Sequence, residues 1–206
     1  MKREGFQATV TTRDVIVEAA GRILRTRGYA HATTKEIARE AGYSEATLYK
    51  YFTDKTEIFL SVLSTRLPGY ETVLARINDH GADREVRDNL VDVAAVALAF
   101  YAENFPISMS LFSSADLLAA HRRRLGELGS DGPRRPLAGL ARYLAAEQRR
   151  GRIRSGADPA AVAALLIGAC FQQGFLSAFD GTSRSEEESR RDAERLVDTL
   201  LAGLTP

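Results

Sequence analysis

A chain of 206 residues that is 45% hydrophobic and 27% charged, with a net charge of +1, has a globular composition that excludes whole-chain disorder. Its single cysteine, Cys170, excludes a disulfide framework and sits in an apolar run (167–171), where it fits a buried small hydrophobe. No run of 18 uninterrupted apolar residues is present, so no membrane span is expected. The opening MKREGFQATVTTRD lacks the apolar core of a secretory signal, so the expected compartment is the cytoplasm.

Period-3.6 patterning runs along the whole chain, with no alternating strand and no repeat of 20–50 residues. The first predicted helix covers 12–27. Ile16, Ala19, Ala20, Ile23 and Leu24 form one stripe, and a basic last turn precedes Gly28. A second helix opens at Thr33, where Thr33 and Glu36 have capping-box spacing, and stops at Gly42. A third, short one follows Ser44 and runs to about Phe52. Asp54 and Glu57 then cap a long fourth helix that Pro68-Gly69 should kink or break.

Residues 83–103 begin charged and become apolar on all sides over 93–102, which predicts a buried helix. A short apolar piece from Pro106 to about 115 follows, then a polar helix around His121-Arg122-Arg123-Arg124. A loop is expected at 126–136 and a helix at 136–150. Asp158-Pro159 opens a helix rich in Ala and Gly that Asp180-Gly181 ends. Ser185 and Glu188 cap the last helix, whose stripe is Ala193, Leu196, Val197, Leu200, Leu201 and Leu204. The expected fold is all-α, with about nine helices and a seam near residue 55 that separates domains 1–55 and 56–206.

Charge differs across that seam. Residues 1–55 hold 10 Lys+Arg against 7 Asp+Glu, residues 56–206 hold 18 against 20, and all four lysines (Lys2, Lys35, Lys50, Lys55) lie in the first part. Alone, this skew fits chance as well as an anionic partner. Catalysis is not expected: no HExxH, CxxC or GxSxG is present, and His31, His80 and His121 fall near helix ends or in polar segments. No cofactor is called for, and no ligand set stands out for a metal.

The informative segment is TTKEIAREAGYSEATLYKYFTDK, residues 33–55. Two short helices joined by Gly42-Tyr43-Ser44 have helix-turn-helix spacing, in which the second helix enters the major groove of duplex DNA. Ser44-Glu45-Ala46-Thr47 would start that helix, and small polar residues there allow close approach to phosphates. Tyr49, Lys50 and Tyr51 supply donors for phosphate oxygens. A plain helical hairpin with packing tyrosines has the same spacing.

As a set, Gly28-Tyr29, Thr33-Thr34, Ile37-Ala38, Ala41-Gly42, Ser44, Thr47-Leu48-Tyr49, Tyr51-Phe52 and Lys55 resemble the DNA-binding domain of TetR-type transcriptional repressors, over residues 12–63. The resemblance implies phosphate contacts for Thr34, Tyr49 and Lys55, and also for Ser44, Thr47 and Tyr51. It places Tyr43, Glu45, Ala46 and Lys50 toward base edges, and Leu48 and Phe52 on the buried side. Glu45 departs from the usual basic or neutral residue. It would repel a phosphate, or accept from a cytosine N4 amine.

The resemblance also implies a helical effector-binding and dimerising remainder. Candidate effector-lining residues are Phe100, Tyr101, Met109, Phe112, Phe171, Gln172 and Phe175, a set rich in aromatics that favours an apolar or amphipathic small molecule. Gln172-Gln173 within an apolar helix needs a partner: a ligand, a neighbour across a dimer seam, or water. The small-residue helix and the Leu-rich last helix are expected to form the homodimer. The chain is expected to be a ligand-responsive repressor on a near-palindromic operator. An activator or effector-free DNA binder, and a helical carrier or enzyme, are the rivals.

Overall fold

The computed structural model describes residues 10–65 and 68–204, and these form ten α-helices with no strand. The helices are α1 Thr12–His31, α2 Thr34–Glu40, α3 Glu45–Leu48, α4 Lys55–Thr65, α5 Pro68–His80, α6 Val86–Ser110, α7 Ala115–Glu127, α8 Arg135–Arg149, α9 Pro159–Asp180 and α10 Glu186–Leu201. The expected long fourth helix is thus two helices. Pro68 is the first residue of the second, and the join at residues 66 and 67 lies outside the described residues, as does the opening segment with Lys2. Capping side chains set several starts. Thr33 and Ser185 form reciprocal boxes with Glu36 and Glu188, and Asp158 accepts from the backbone of Ala160 and Ala161.

Two buried clusters organise the chain. The first joins Ile16, Val17, Ala20 and Leu24 of α1 to Ile37, Leu48 and Phe52, and is completed by Ile58, Phe59 and Val62 of α4. Ile107, Leu111 and Leu117, from the end of α6 to the start of α7, also belong to it. The second is built on α6, against which α5, α9 and α10 pack, with α8 behind α5 and α9.

Three expectations are corrected here. Pro106 does not start a new piece: α6 runs through it to Ser110. A proline inside a helix costs about 3 kcal/mol. Burial of Phe105, Ile107 and Leu111 on the other side of the same segment offsets this, while Pro106 itself faces solvent. Nor is 93–102 buried all round, since Ala99 is exposed and Phe100 and Tyr101 are half-buried. Lastly, the α10 stripe is used inside the chain. Ala193, Val197 and Leu204 are buried in the second cluster, with Leu196, Leu200 and Leu201 packed against it.

Among the described residues, α9 carries the largest group of exposed apolar side chains: Leu165 is 64% and Phe179 78% exposed, with Phe171, Phe175 and Leu176 partly so. α6 and α9 are each long and apolar enough to cross a membrane, as the core helices of globular proteins can be, which a search for uninterrupted apolar runs does not detect. Here they are packed on each other, and Gly174 sets the approach. A Cβ at that position would lie 2.6 Å from Cβ of Tyr101 and 2.9 Å from its carbonyl carbon.

Polar groups tie the second cluster together. Asn89 donates to the Gly81 carbonyl at 2.9 Å and to the Tyr143 hydroxyl at 3.0 Å. Glu147, fully buried, is paired with Arg150 at 2.6 Å and with Arg152. Arg152 in turn donates to the carbonyls of Arg84 and Gly81. Asp92 on α6 meets Arg76, Arg84 and Arg190 from three separate segments.

Candidate nucleic-acid interface

The two short helices are fixed by local bonds. After α2, Gly42 takes a left-handed φ of +76°, and the Tyr43 N–H donates to the Ala38 carbonyl at 2.9 Å. Ser44 caps α3. Its Oγ accepts from the Thr47 N–H at 3.1 Å and lies 2.9 Å from the Thr47 hydroxyl. The third helix is shorter than expected, four residues of α-helix followed by a tight turn. In that turn Tyr51 and Phe52 N–H groups both donate to the Leu48 carbonyl, at 3.0 and 3.1 Å.

Leu48 and Phe52 point into the first cluster. Tyr43, Ser44, Ala46, Tyr49, Lys50 and Tyr51 are exposed, and Thr34, Glu45, Thr47 and Lys55 are half-buried. The exposed tyrosines are therefore not core packing, which a plain hairpin would make of them.

Glu45, the departure noted above, has a defined partner. Thr34 at the start of α2 donates its hydroxyl to Glu45 Oε1 at 2.5 Å, and the Tyr49 hydroxyl donates to Thr34 Oγ1 at 3.3 Å. The carboxylate thus lies in the first turn of α3, where a negative charge is favourable, and ties α3 to α2. Lys55 is placed by Tyr29, with Nζ 4.3 Å from the ring centroid. Tyr29 stands edge-on to Phe59 at 5.0 Å, and its hydroxyl lies 3.1 Å from Oγ1 of Thr56. Partial burial pulls the Lys55 ammonium below its ordinary pKa.

The sequence reading missed the positioning roles of Tyr29 and of Arg13. Arg13 lies over the Phe52 ring at 5.0 Å and donates to Ser61 at 2.8 Å. Gly28-Tyr29 was visible as part of a pattern, whereas Arg13 carried no local signal because its partners are 39 and 48 residues away.

The family model for bacterial regulatory proteins of the tetR family matches residues 16–62, the segment just described. An HTH-type transcriptional regulator of Mycobacterium bovis is 32% identical over 146 residues, 68% of this chain and 71% of that one. The chain belongs to the TetR family.

The HTH-type transcriptional repressor BepR of Brucella suis is 28% identical over 173 residues, covering 81% of this chain and 80% of BepR. A solved TetR-family protein from Mesorhizobium loti matches 95% of this chain and 97% of its own, with a TM-score of 0.73 and 28% identity. This TetR-family chain is accordingly a transcriptional regulator with a DNA-binding helix-turn-helix at its N-terminal end.

Its effector candidates fall into two groups. Phe100, Tyr101, Phe171 and Phe175 are joined in one chain of ring contacts at 5.2–5.7 Å. Phe105 is part of that chain, and Tyr70 and Phe179 extend it at either end. Met109 and Phe112 lie at and beyond the end of α6, where Leu111 packs into the first cluster and Phe112 is 67% exposed. The expectation of a buried amide pair is corrected. Gln172 is exposed, and half-buried Gln173 accepts from Arg184 at 2.6 Å.

Proposed function

We propose that this regulator is a repressor that binds a near-palindromic operator as a homodimer and is released by a small molecule. The observation that carries this reading is the exposed Tyr43–Tyr49–Lys50–Tyr51 surface on a motif held rigid by the Thr34–Glu45–Tyr49 bonds. Tyr49, Lys55 and Thr34 act as phosphate-positioning contacts, with Ser44, Thr47 and Tyr51 beside them. Tyr43, Ala46 and Lys50 face base edges, while Glu45 acts mainly by holding α2 and α3 in register. The name of BepR supports repression.

Dimerisation is supported by the outward face of α9. Its first half carries Ala161, Ala164 and Gly168, with open space around Gly168, and its second half carries Phe175, Leu176 and Phe179. Two copies related by a two-fold axis lay the small half of one α9 against the large half of the other, with Gln172 near the axis. A two-fold dimer of this kind matches a near-palindrome whose half-sites lie one turn of DNA, about 34–36 Å, apart. Release is supported by Ile107, Leu111 and Leu117, which share a cluster with α1 and α4, so that a shift of α6 displaces the head. The protein acts where the chromosome is, in the cytoplasm.

The test begins with selection of genomic fragments on purified protein. A recovered near-palindrome, bound by a sedimenting dimer and weakened by a small molecule, is the expected result. Phe179→Glu with Leu165→Glu should yield folded monomers that bind the operator poorly. Wild-type monomers at micromolar concentration contradict the dimer, and an operator that no small molecule affects favours the effector-free rival.

A further inference from the structure

Among the described residues, two deeply buried side-chain atoms of the effector region have no hydrogen-bond partner: the Tyr70 hydroxyl on α5 and Oδ1 of Asn104 on α6. Tyr70 is 2% exposed and Asn104 4%. A third atom of this kind, Oε2 of Glu147, lies in an ion pair with Arg152, which leaves these two. Folded chains keep few such groups, because each forfeits its hydration without compensation.

Both orphans belong to residues that contact Phe100, one at its ring and one at its backbone carbonyl. Tyr70 stacks on Phe100 with centroids 6.2 Å apart, and Asn104 Nδ2 donates to the Phe100 carbonyl at 2.9 Å. That bond fixes the amide orientation and leaves Oδ1 as a pure acceptor. Phe100 meets Tyr101 edge-on at 5.2 Å, and Tyr101 meets Phe171 at 5.4 Å. Among the described residues, the titratable groups that act on the Tyr70 hydroxyl are Tyr101 and Cys170. Burial raises all three above their ordinary values, Tyr101 and Cys170 to about 12, so all stay uncharged at neutral pH. Among the described residues, the surroundings thus offer aromatic faces, one hydroxyl and one carbonyl-type acceptor, with no charge acting on Tyr70.

We infer that Tyr70 and Asn104 are the polar anchors of the effector site, and that the effector is an uncharged hydroxylated aromatic molecule that accepts from Tyr70 and donates to Asn104. The inference rests on the small-molecule-released reading above and names the chemistry of its ligand. An anionic ligand is disfavoured because, among the described residues, no charged group acts on Tyr70 to offset the ligand's desolvation. The outer rings Phe171 and Phe175, both partly exposed, are the ones an entering molecule displaces.

The experiment uses full-length protein and three probes of one shape: 2-naphthol, naphthalene and 2-naphthoate. 2-Naphthol should bind the wild type and lose about tenfold in affinity in both Tyr70→Phe and Asn104→Leu. Naphthalene should bind more weakly and be indifferent to Tyr70→Phe, and 2-naphthoate should not compete. Unliganded Tyr70→Phe should melt no lower than the wild type, because the hydroxyl it removes has no partner to lose. A Tm more than about 3 °C lower would show that a resident water already satisfies that hydroxyl, and would overturn the assignment. Variants that bind 2-naphthol as tightly as the wild type does, or a wild type that does not bind it, would overturn it too. A molecule that weakens operator binding alike in wild type and variants leaves release standing and removes this site. 2-Naphthol that binds through Tyr70 without touching operator affinity leaves the site standing and removes release.

Discussion

The DNA-binding head and the helices packed on α6 are held together over different distances along the chain. In the head, the bonds that fix the two short helices are short-range: Ser44 to Thr47, Thr34 to Glu45 and Thr34 to Tyr49 span 3 to 15 residues, while the placing of Lys55 by Tyr29 and the Arg13–Ser61 bond reach further. Among the helices packed on α6, Arg152 reaches Arg84 over 68 residues, Arg190 reaches Asp92 over 98, and Arg87 reaches Asp198 over 111. A surface made by neighbours in sequence can be read from spacing. One made by distant partners depends on how the helices pack.

Glu147→Ala should have the largest effect, because it strands Arg150 and Arg152, the second of which ties the α8 end to the segment before α6. Removing one partner of a buried pair costs about 3–5 kcal/mol, and the low end applies because both arginines reach solvent. Denaturant unfolding should show the loss, with a folded head motif retaining its local bonds.

Gly174→Ala comes next. Alanine gains roughly 1 kcal/mol of helix propensity. The new methyl would meet the backbone of Tyr101 at under 3 Å, and overpacking of this kind costs about 1–3 kcal/mol, so a net loss of stability is expected. A stabilised variant would show that the α6–α9 crossing is loose.

The head should respond in the opposite way. Thr34→Val removes a hydroxyl that donates to Glu45 and accepts from Tyr49, both near the surface, so its effect on unfolding should stay within about 1 kcal/mol. Operator affinity should fall more than stability does, with all sequences affected alike, as for a positioning contact. A change of sequence preference instead would move Glu45 to a base edge.

The smallest effect is pH-dependent. Burial works to raise the Asp92 pKa, but bonds from Arg84 and Arg76 outweigh it and hold the carboxyl below its ordinary value. A group lowered on folding stabilises above its unfolded pKa and loses that contribution as pH falls through its folded one. Acid unfolding below about pH 4 should therefore be shallower in Asp92→Asn. An unchanged acid limb would show that Asp92 is not linked to folding.

What could be read from sequence follows the same division. The boxes at Thr33 and Ser185, the Asp158-Pro159 start and the Gly42 turn were visible because each is settled within about four residues. Continuation of α6 through Pro106 was not, since it depends on burial of Phe105 and Ile107 by other helices. Periodicity found the α10 stripe but not its partner. It faces α6, leaving the outward face of α9 as the apolar surface. Gln172 and Gln173 looked equivalent in sequence, yet one is exposed and the other bonded to Arg184. Tyr70 and Asn104 gave no signal at all, because an unpartnered atom is recognisable only once every neighbour is placed.

The most direct test of the account is operator affinity measured from about 50 to 200 mM salt for the wild type, Tyr49→Ala and Lys55→Ala. The account predicts a steep linear fall of log affinity with log salt in the wild type, orders of magnitude across that range, as phosphate contacts release counterions. Lys55→Ala, which removes a cation, should flatten the slope by about one contact. Tyr49→Ala, which removes a neutral donor, should weaken binding at every salt with the slope kept. A wild-type affinity that does not respond to salt, or variants that bind as the wild type does, would contradict a head that grips the DNA backbone through this surface.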